Sequence, residues 1–235
     1  MAALETIKKE LGYKAPYFKL INTIDNQLVD LNELKGKNGT LVMFICNHCP
    51  YVLHINEQLV LLANEYIPKG ISFIAISSND ISRYPDDAPD KMKLQAQQLN
   101  YPFPYLYDES QDVAKAYFAA CTPDFSIFDN ELNCVYRGQL DDSRPKSTIP
   151  VTGNDIRNAL DKLLNNQGIV ENQYPSLGCS IKWKLFENAT EIETKELNAA
   201  RNILNEWITR QFINVFFEKC VDPVSQSFFK SNPTQ

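Results

Sequence analysis

One stretch of the chain is apolar without interruption: Thr40-Leu-Val-Met-Phe-Ile-Cys46. A run with no polar alternation, built from residues that favour extended backbone, predicts a central strand buried on both faces. After Pro50 the pattern changes. Val52, Ile55, Leu59, Leu62 and Tyr66 recur at three and four residues and predict a helix to about Tyr66. Pro68-Lys69-Gly70 ends that helix, and Ile71 to Ile76 forms a second buried run. Strand, helix and strand in close succession predict a βαβ unit with parallel strands.

The flanking elements are shorter. Tyr17 to Asn22 and Leu28 to Leu31 surround Asp25-Asn26-Gln27 and predict a hairpin. Gly36 to Gly39 reads as a turn, and Asn79 to Pro89 as a polar loop. A helix is expected from Asp90 to Leu99, and an extended aromatic stretch from Tyr101 to Tyr107. Asp108 opens another helix to about Ala119 or Ala120, with Ser110 among its cap candidates. Phe125 to Asp129 and Cys134 to Arg137 predict a second hairpin, and a last helix starts near Thr152 with Ile156, Leu160, Leu163 and Leu164 on one face. The order predicts a mixed-sheet α/β domain that closes near residue 165, with Asn166 to Lys184 as a linker lying back on it.

A segment of a different kind follows. Leu197, Ala200, Leu204, Trp207, Ile208, Phe212, Val215 and Phe216 keep helical spacing. A single helix from about Thr190 to Glu218 would be roughly 40 Å long. Its apolar face needs a cover, and its aromatic patch, with Phe217, predicts self-association into a homodimer.

Composition narrows the function classes. The 235 residues include 29 acidic and 23 basic side chains, a net charge of -6, so no basic stripe exists to neutralise nucleic-acid phosphates. With 44% hydrophobic and 22% charged residues the chain is an ordinary globular one, and disorder is excluded. No apolar run approaches the roughly 18 residues of a membrane span. The start, Met1 to Lys9, lacks a basic segment followed by an apolar core, so no secretory signal and no membrane partner are expected, and the expected address is the cytoplasm.

Six cysteines in a chain of this size do not read as a disulfide framework. Cys121, Cys134, Cys179 and Cys220 are dispersed and read as packed thiols. Cys46 and Cys49 form a C-x-x-C pair in Cys46-Asn47-His48-Cys49-Pro50, at the predicted junction of strand and helix. There, Cys46 is expected at the helix N-terminus, where free N–H groups and the dipole favour a thiolate. Cys49, three residues on, lies on the same face and can resolve a mixed disulfide, while His48 adds positive or hydrogen-bonding character. A C-x-x-C thiol in such surroundings has a pKa anywhere from about 3.5 to 7.5, against about 8.5 when free. Such a pair also starts many zinc sites, but a closed site needs four ligands and no second C-x-x-C exists.

Thr122-Pro123 precedes a strand about 70 residues later and suits a cis peptide facing the pair. Cys121 beside it is a candidate third thiol, redox or metal-ligating. His54 reads as a solvated helix residue, Asp141-Asp142-Ser143-Arg144 as a local ion pair, and Asn79-Asp80 as a turn.

Several stretches carry a family resemblance: Ala15-Pro-Tyr-Phe-Lys-Leu20, Phe44-Ile-Cys-Asn-His-Cys-Pro-Tyr-Val52, Ile76-Ser-Ser-Asn-Asp80 and Phe103-Pro-Tyr-Leu-Tyr-Asp108. Further on come Cys121-Thr-Pro-Asp-Phe125, Tyr136-Arg-Gly-Gln-Leu-Asp-Asp142 and Pro175-Ser-Leu-Gly-Cys-Ser-Ile-Lys-Trp183. The chain resembles the thioredoxin superfamily, in its peroxiredoxin-like branch grouped with alkyl hydroperoxide reductase and thiol-specific antioxidant proteins. The resemblance implies a thioredoxin-like α/β fold over residues 10–184, a central mixed sheet flanked by helices, with 185–235 as a helical C-terminal extension that departs from the family. It implies thiol-disulfide chemistry on thiol or disulfide proteins or small thiols, with Cys46 attacking, Cys49 resolving and Pro123, with Thr122, shaping the approach. An external reductant is required; no bound cofactor or metal is expected.

The family's peroxidases place a Pro and a Thr or Ser seven and three residues before the reactive Cys. Counted from Cys49, those positions hold Val42 and Cys46, and the family's later Arg has no counterpart at Thr122-Pro123. Without those donors a peroxide oxygen is not polarised, so disulfide exchange is expected ahead of peroxidase activity. A non-catalytic interaction module with structural or metal-bound cysteines is the remaining alternative.

Overall fold

The computed structural model describes residues 3–170, 172–184 and 198–206. The elements run β1 (Ala3–Glu5), β2 (Lys19–Asn22), β3 (Leu28–Asp30), α1 (Leu31–Leu34), β4 (Gly39–Phe44), α2 (Pro50–Tyr66) and β5 (Ile71–Ser77). They continue with α3 (Pro89–Gln98), β6 (Tyr105–Tyr107), α4 (Asp112–Ala116), β7 (Cys121–Thr122), β8 (Asp124–Phe128), β9 (Cys134–Gly138), α5 (Asn154–Leu164) and β10 (Leu177–Ser180). Seven strands form one sheet in the order β3-β2-β6-β5-β4-β8-β9. β4 pairs in parallel with β5, as the βαβ pattern predicts, and antiparallel with β8. Both hairpins form, β2 with β3 and β8 with β9.

The buried run of β4 explains the layering. Side chains alternate across a strand, so Leu41, Met43 and Ile45 enter the layer with Val52, Ile55, Leu59 and Leu62 of α2 and Ile156 and Leu160 of α5. Val42 and Phe44 enter the opposite layer with Phe18, Leu31, Ile74, Ile76, Tyr117 and Phe128. The outcome is a thioredoxin-like fold, a mixed sheet covered by helices on both faces.

Two elements differ from the sequence pattern. α4 begins at Asp112, not Asp108, and ends at Ala116. Gln111 adopts a left-handed backbone (φ 66°) at the N-cap position; Ser110 Oγ accepts the Asp112 N–H (3.2 Å), while the buried Asp108 carboxylate accepts the Ala114 N–H (2.9 Å) and the Ser78 hydroxyl (2.8 Å). The supposed linker contains β10, which pairs with β7 and with β1 in a small second sheet. Four residues including Gly178 carry too little periodicity to announce a strand.

Residues Met1–Lys184 form one compact unit and Leu185–Gln235 a second. Of the second, residues 198–206 are helical. Leu197, Trp207, Ile208, Phe212, Val215, Phe216, Phe217 and Cys220, and with them the expected dimer face, lie outside the described residues. Among the described residues no helix is long and apolar enough to cross a membrane.

Candidate active site

Proline has no N–H and a fixed φ, so it is best placed in the first turn of a helix. Pro50 accordingly starts α2, and Cys49 becomes its N-cap, with its carbonyl accepting from Val52 and Leu53 (3.0 and 2.9 Å). The expectation that Cys46 sits at the helix N-terminus is therefore corrected: Cys46 lies just past the end of β4, three residues before the cap. Both sulfurs are shut from solvent, at 1% and 0% exposure.

Thr122 touches both. Its hydroxyl is 3.4 Å from Cys46 Sγ, and its carbonyl accepts from Cys49 Sγ at 3.1 Å. The Thr122-Pro123 bond is cis. Cys121, by contrast, contacts carbonyls, those of Pro123 (3.6 Å) and Ser176 (3.9 Å), and burial pushes its thiol far up. That is a packed thiol. Cys134 likewise donates to the Tyr136 carbonyl (3.4 Å), with its pKa pushed to about 11 by burial.

The electrostatics of the pair invert the order expected along the chain. The mutual influence of the two thiols raises Cys46 and lowers Cys49. Burial and the Asp87 charge lift Cys46 further. On Cys49 the donors Cys46, Cys179, Thr122 and the Val52 N–H overcome the opposing effect of burial. The Thr122 carbonyl favours a protonated Cys49, but one acceptor is outweighed by these donors at a helix N-terminus. The thiolate rests on Cys49.

A buried carboxylate, Asp87, holds the loop between the cysteines. Its Oδ1 accepts the Asn47 N–H (2.8 Å), and its Oδ2 accepts Asn79 Nδ2 (2.8 Å). His48 Nδ1 lies 2.7 Å from Oδ2, at ion-pair distance but without a hydrogen aimed along the line. Asn47 also donates to the Asp86 carbonyl (2.8 Å) and accepts from Tyr105 (3.1 Å), and Asn79 accepts the Lys182 N–H (2.8 Å). The His48 ring, half-buried, stacks on Tyr84 at 5.6 Å and 8°. Contact with Asp87 raises the His48 pKa against the effect of burial. Burial works to raise Asp87, but bonds from His48, Asn79 and Asn47 hold it below its ordinary value. The sequence does not single out Asp87, Tyr84 or Tyr105. Asn79, at the carboxyl end of β5, reads from sequence as a turn ahead of a ligand site; in the structure its side chain buttresses Asp87.

Two minor expectations also change. Asp141 accepts the Thr152 and Gly153 N–H groups (2.6 Å each), so it holds the turn that leads into α5 rather than serving an ion pair. His54 is half-buried, with its Nε2 enclosed, not solvated.

Cys46, His48 and Asp87 place donor atoms within 4.8 Å of one another, the group among the described residues with metal-ligand character. A closed site needs a fourth ligand, and both Asp87 oxygens already hold the loop.

Replacing Asp87 by asparagine is expected to cost about 1–3 kcal/mol, the range for hydrogen bonds to charged groups. His48, raised when folded, contributes stability that is present below about pH 6.5 and lost as pH rises through its folded value. Asp87, depressed when folded, contributes stability that is present above about pH 3.9 and lost as pH falls through its folded value. The deficit of Asp87→Asn should thus be widest between about pH 4 and 6.5. Urea unfolding across pH measures it, and a deficit independent of pH would refute the ion pair's role.

Comparison with known proteins follows the same lines. The family model for redoxins matches residues 10–156. An uncharacterized conserved protein from Geobacillus kaustophilus is 60% identical, with a TM-score of 0.77 over 78% of this chain and 97% of its own. A hypothetical protein from Sinorhizobium meliloti is 42% identical, with a TM-score of 0.75 over 77% of this chain and 98% of its own. The thioredoxin domain of a thiol-disulfide oxidoreductase from Bacteroides vulgatus shares the fold at 21% identity, with a TM-score of 0.53 over 67% of this chain and all of its own. No curated protein matches the chain.

Proposed function

We propose, from the premise that this chain belongs to the redoxin family, that it is a thiol-disulfide oxidoreductase whose Cys46 and Cys49 cycle between dithiol and disulfide. The observation that carries this reading is the placement of two buried sulfurs, Cys46 and Cys49, against Thr122 of the cis Thr122-Pro123 bond, at 3.4 Å from its hydroxyl and 3.1 Å from its carbonyl. A closed zinc site would need four ligands, and the group with metal-ligand character among the described residues has three, two of them already engaged with each other.

The roles follow the charge. The Cys49 thiolate attacks one sulfur of a substrate disulfide; that bond breaks, and one substrate thiolate leaves and takes a proton. Cys46 then gives up its proton and attacks Cys49 Sγ, closing the Cys46–Cys49 bond and releasing the second substrate thiol. The substrate gains two electrons and the cysteine pair loses two, which an external thiol reductant restores. His48, more fully protonated through Asp87, places positive charge beside the leaving thiolates. Burial of both sulfurs means that the Asn47–His48 loop must open for the substrate, a disulfide-bearing protein or small thiol.

Thiol peroxidase activity is the second reading, favoured by one observation: Cys49 is the N-cap of α2, directly before Pro50. Val42 and Cys46 stand where peroxide-orienting Pro and Thr or Ser would be needed, which keeps exchange ahead.

Titration in glutathione buffers, read by alkylation and mass spectrometry, tests the proposal. The expected result is a reversible two-electron transition of the Cys46–Cys49 bond between about -270 and -120 mV. If no such bond forms at any poise, the reading is wrong.

A further inference from the structure

The Gly178-Cys179 segment of β10 has no part in the chemistry so far, yet it lies against the site. Cys179 is the register partner of Thr122 across an antiparallel pair, where Cα atoms come within about 4.5–5.5 Å. Thr122 is the residue whose carbonyl meets Cys49 Sγ. Gly178 is what permits the approach: a Cβ there would fall 2.0 Å from the Thr122 carbonyl oxygen. Cys179 is itself buried, at 3% exposure, and as the cross-strand partner of Thr122 its side chain leaves the sheet on the face of Thr122 that meets Cys46 and Cys49. Cys49 and Cys179 thus both lie against Thr122, one at its carbonyl and one across the strand pair.

We propose that Cys179 is a second resolving thiol, so that Cys49 closes a disulfide with either Cys46 or Cys179; this rests on the thiol-disulfide reading above. In the step, a substrate is held as a mixed disulfide on Cys49. Cys179 gives up its proton and attacks Cys49 Sγ; the Cys49–Cys179 bond forms, the bond to substrate breaks, and its electron pair leaves with the substrate thiolate, which takes the proton. No other oxidant or reductant is needed. At rest Cys179 is a poor nucleophile, pushed up to about 12 by burial and by the anionic Cys49 beside it. Once Cys49 is in a disulfide that charge is gone, and Lys182, which favours the Cys179 thiolate, remains. Cys179 is thus held in reserve until Cys49 has reacted.

Oxidised glutathione is the probe, with acid quenching and peptide mapping by mass spectrometry. In Cys46→Ser, glutathione on Cys49 is expected to be transient and to give way to a Cys49–Cys179 disulfide. In Cys46→Ser/Cys179→Ser the adduct should persist at least about tenfold longer. If the single variant holds glutathione as long as the double variant, with no Cys49–Cys179 bond, the inference is overturned while the exchange reading stands. If the unsubstituted protein gives neither a Cys49 adduct nor a Cys46–Cys49 bond, the exchange reading itself has failed. The unsubstituted protein at a half-oxidising glutathione ratio provides a check that needs no variant to fold: a Cys49–Cys179 cross-linked peptide beside the Cys46–Cys49 one supports the proposal, and its absence overturns it.

Discussion

Cys49→Ser is expected to lower disulfide exchange by about a thousandfold or more, as loss of an attacking group does, whereas Cys46→Ser keeps the first, attacking step. The prediction follows from where the charge rests. Cys49 is the N-cap of α2 and receives donors from Cys46, Cys179, Thr122 and the Val52 N–H, while Cys46 faces the Asp87 carboxylate. A serine at 46 still offers a hydroxyl to Cys49; a serine at 49 leaves Cys46 with its nearest thiol donor gone and Asp87 still opposing its ionisation. The pH dependence has a definite sign. A depressed pKa keeps the thiolate populated well below the 8.5 or so of a free thiol, so the attack rate of Cys46→Ser on oxidised glutathione should stay nearly level from pH 8 down into the acid range. The rate of adduct formation at each site, followed by mass spectrometry, decides. An adduct that builds on Cys46 in Cys49→Ser, and is missing from Cys49 in Cys46→Ser, would return the attacking role to Cys46.

How much of this was readable beforehand depends on the range of each interaction. β4, α2 and β5 follow from patterns contained within one element, and they appear within two residues of their expected bounds. The place of Cys49 at the helix cap was partly legible. Pro50 names the start of the helix, and counting from it, instead of from the end of the strand, places Cys49 at the cap. Asp87 was not legible. It acts on Asn47 and His48 across about 40 residues of chain, from a loop with no periodicity, and only the fold brings it there. Gly178-Cys179 falls between these cases: the motif was visible, but its reason, a backbone so close to Thr122 that a Cβ would clash, exists only once β10 pairs with β7.

The same long-range logic governs the strand that delivers Thr122 to the thiols. Arg137 on β9 is fully buried and donates to the carbonyls of Phe118 (2.7 Å) and Ile7 (3.2 Å), to Ser126 Oγ (2.9 Å) and to Asp124 Oδ2 (3.4 Å). Asp124 follows Pro123 directly, is buried in turn, and leaves its Oδ1 without a partner. Arg137→Leu would fill much of the same space but strand that carboxylate, and breaking a buried pair from one side costs about 3–5 kcal/mol. Burial already holds Asp124 above its ordinary value, with Arg137 opposing the rise; without the guanidinium it climbs further. A carboxyl whose folded pKa lies above its unfolded value binds its proton more tightly when folded, so stability falls as pH rises through that interval. The deficit of Arg137→Leu should therefore be full at neutral pH and shrink in acid, as Asp124 takes up a proton and its charge disappears. Adding Asp124→Asn should recover part of the loss at pH 7 and flatten the pH dependence. Urea unfolding of the single and double variants at neutral and acid pH measures both effects. A loss of under about 1 kcal/mol, the size of a surface ion pair, and equal at both pH values would show that Arg137 does not hold this strand in place.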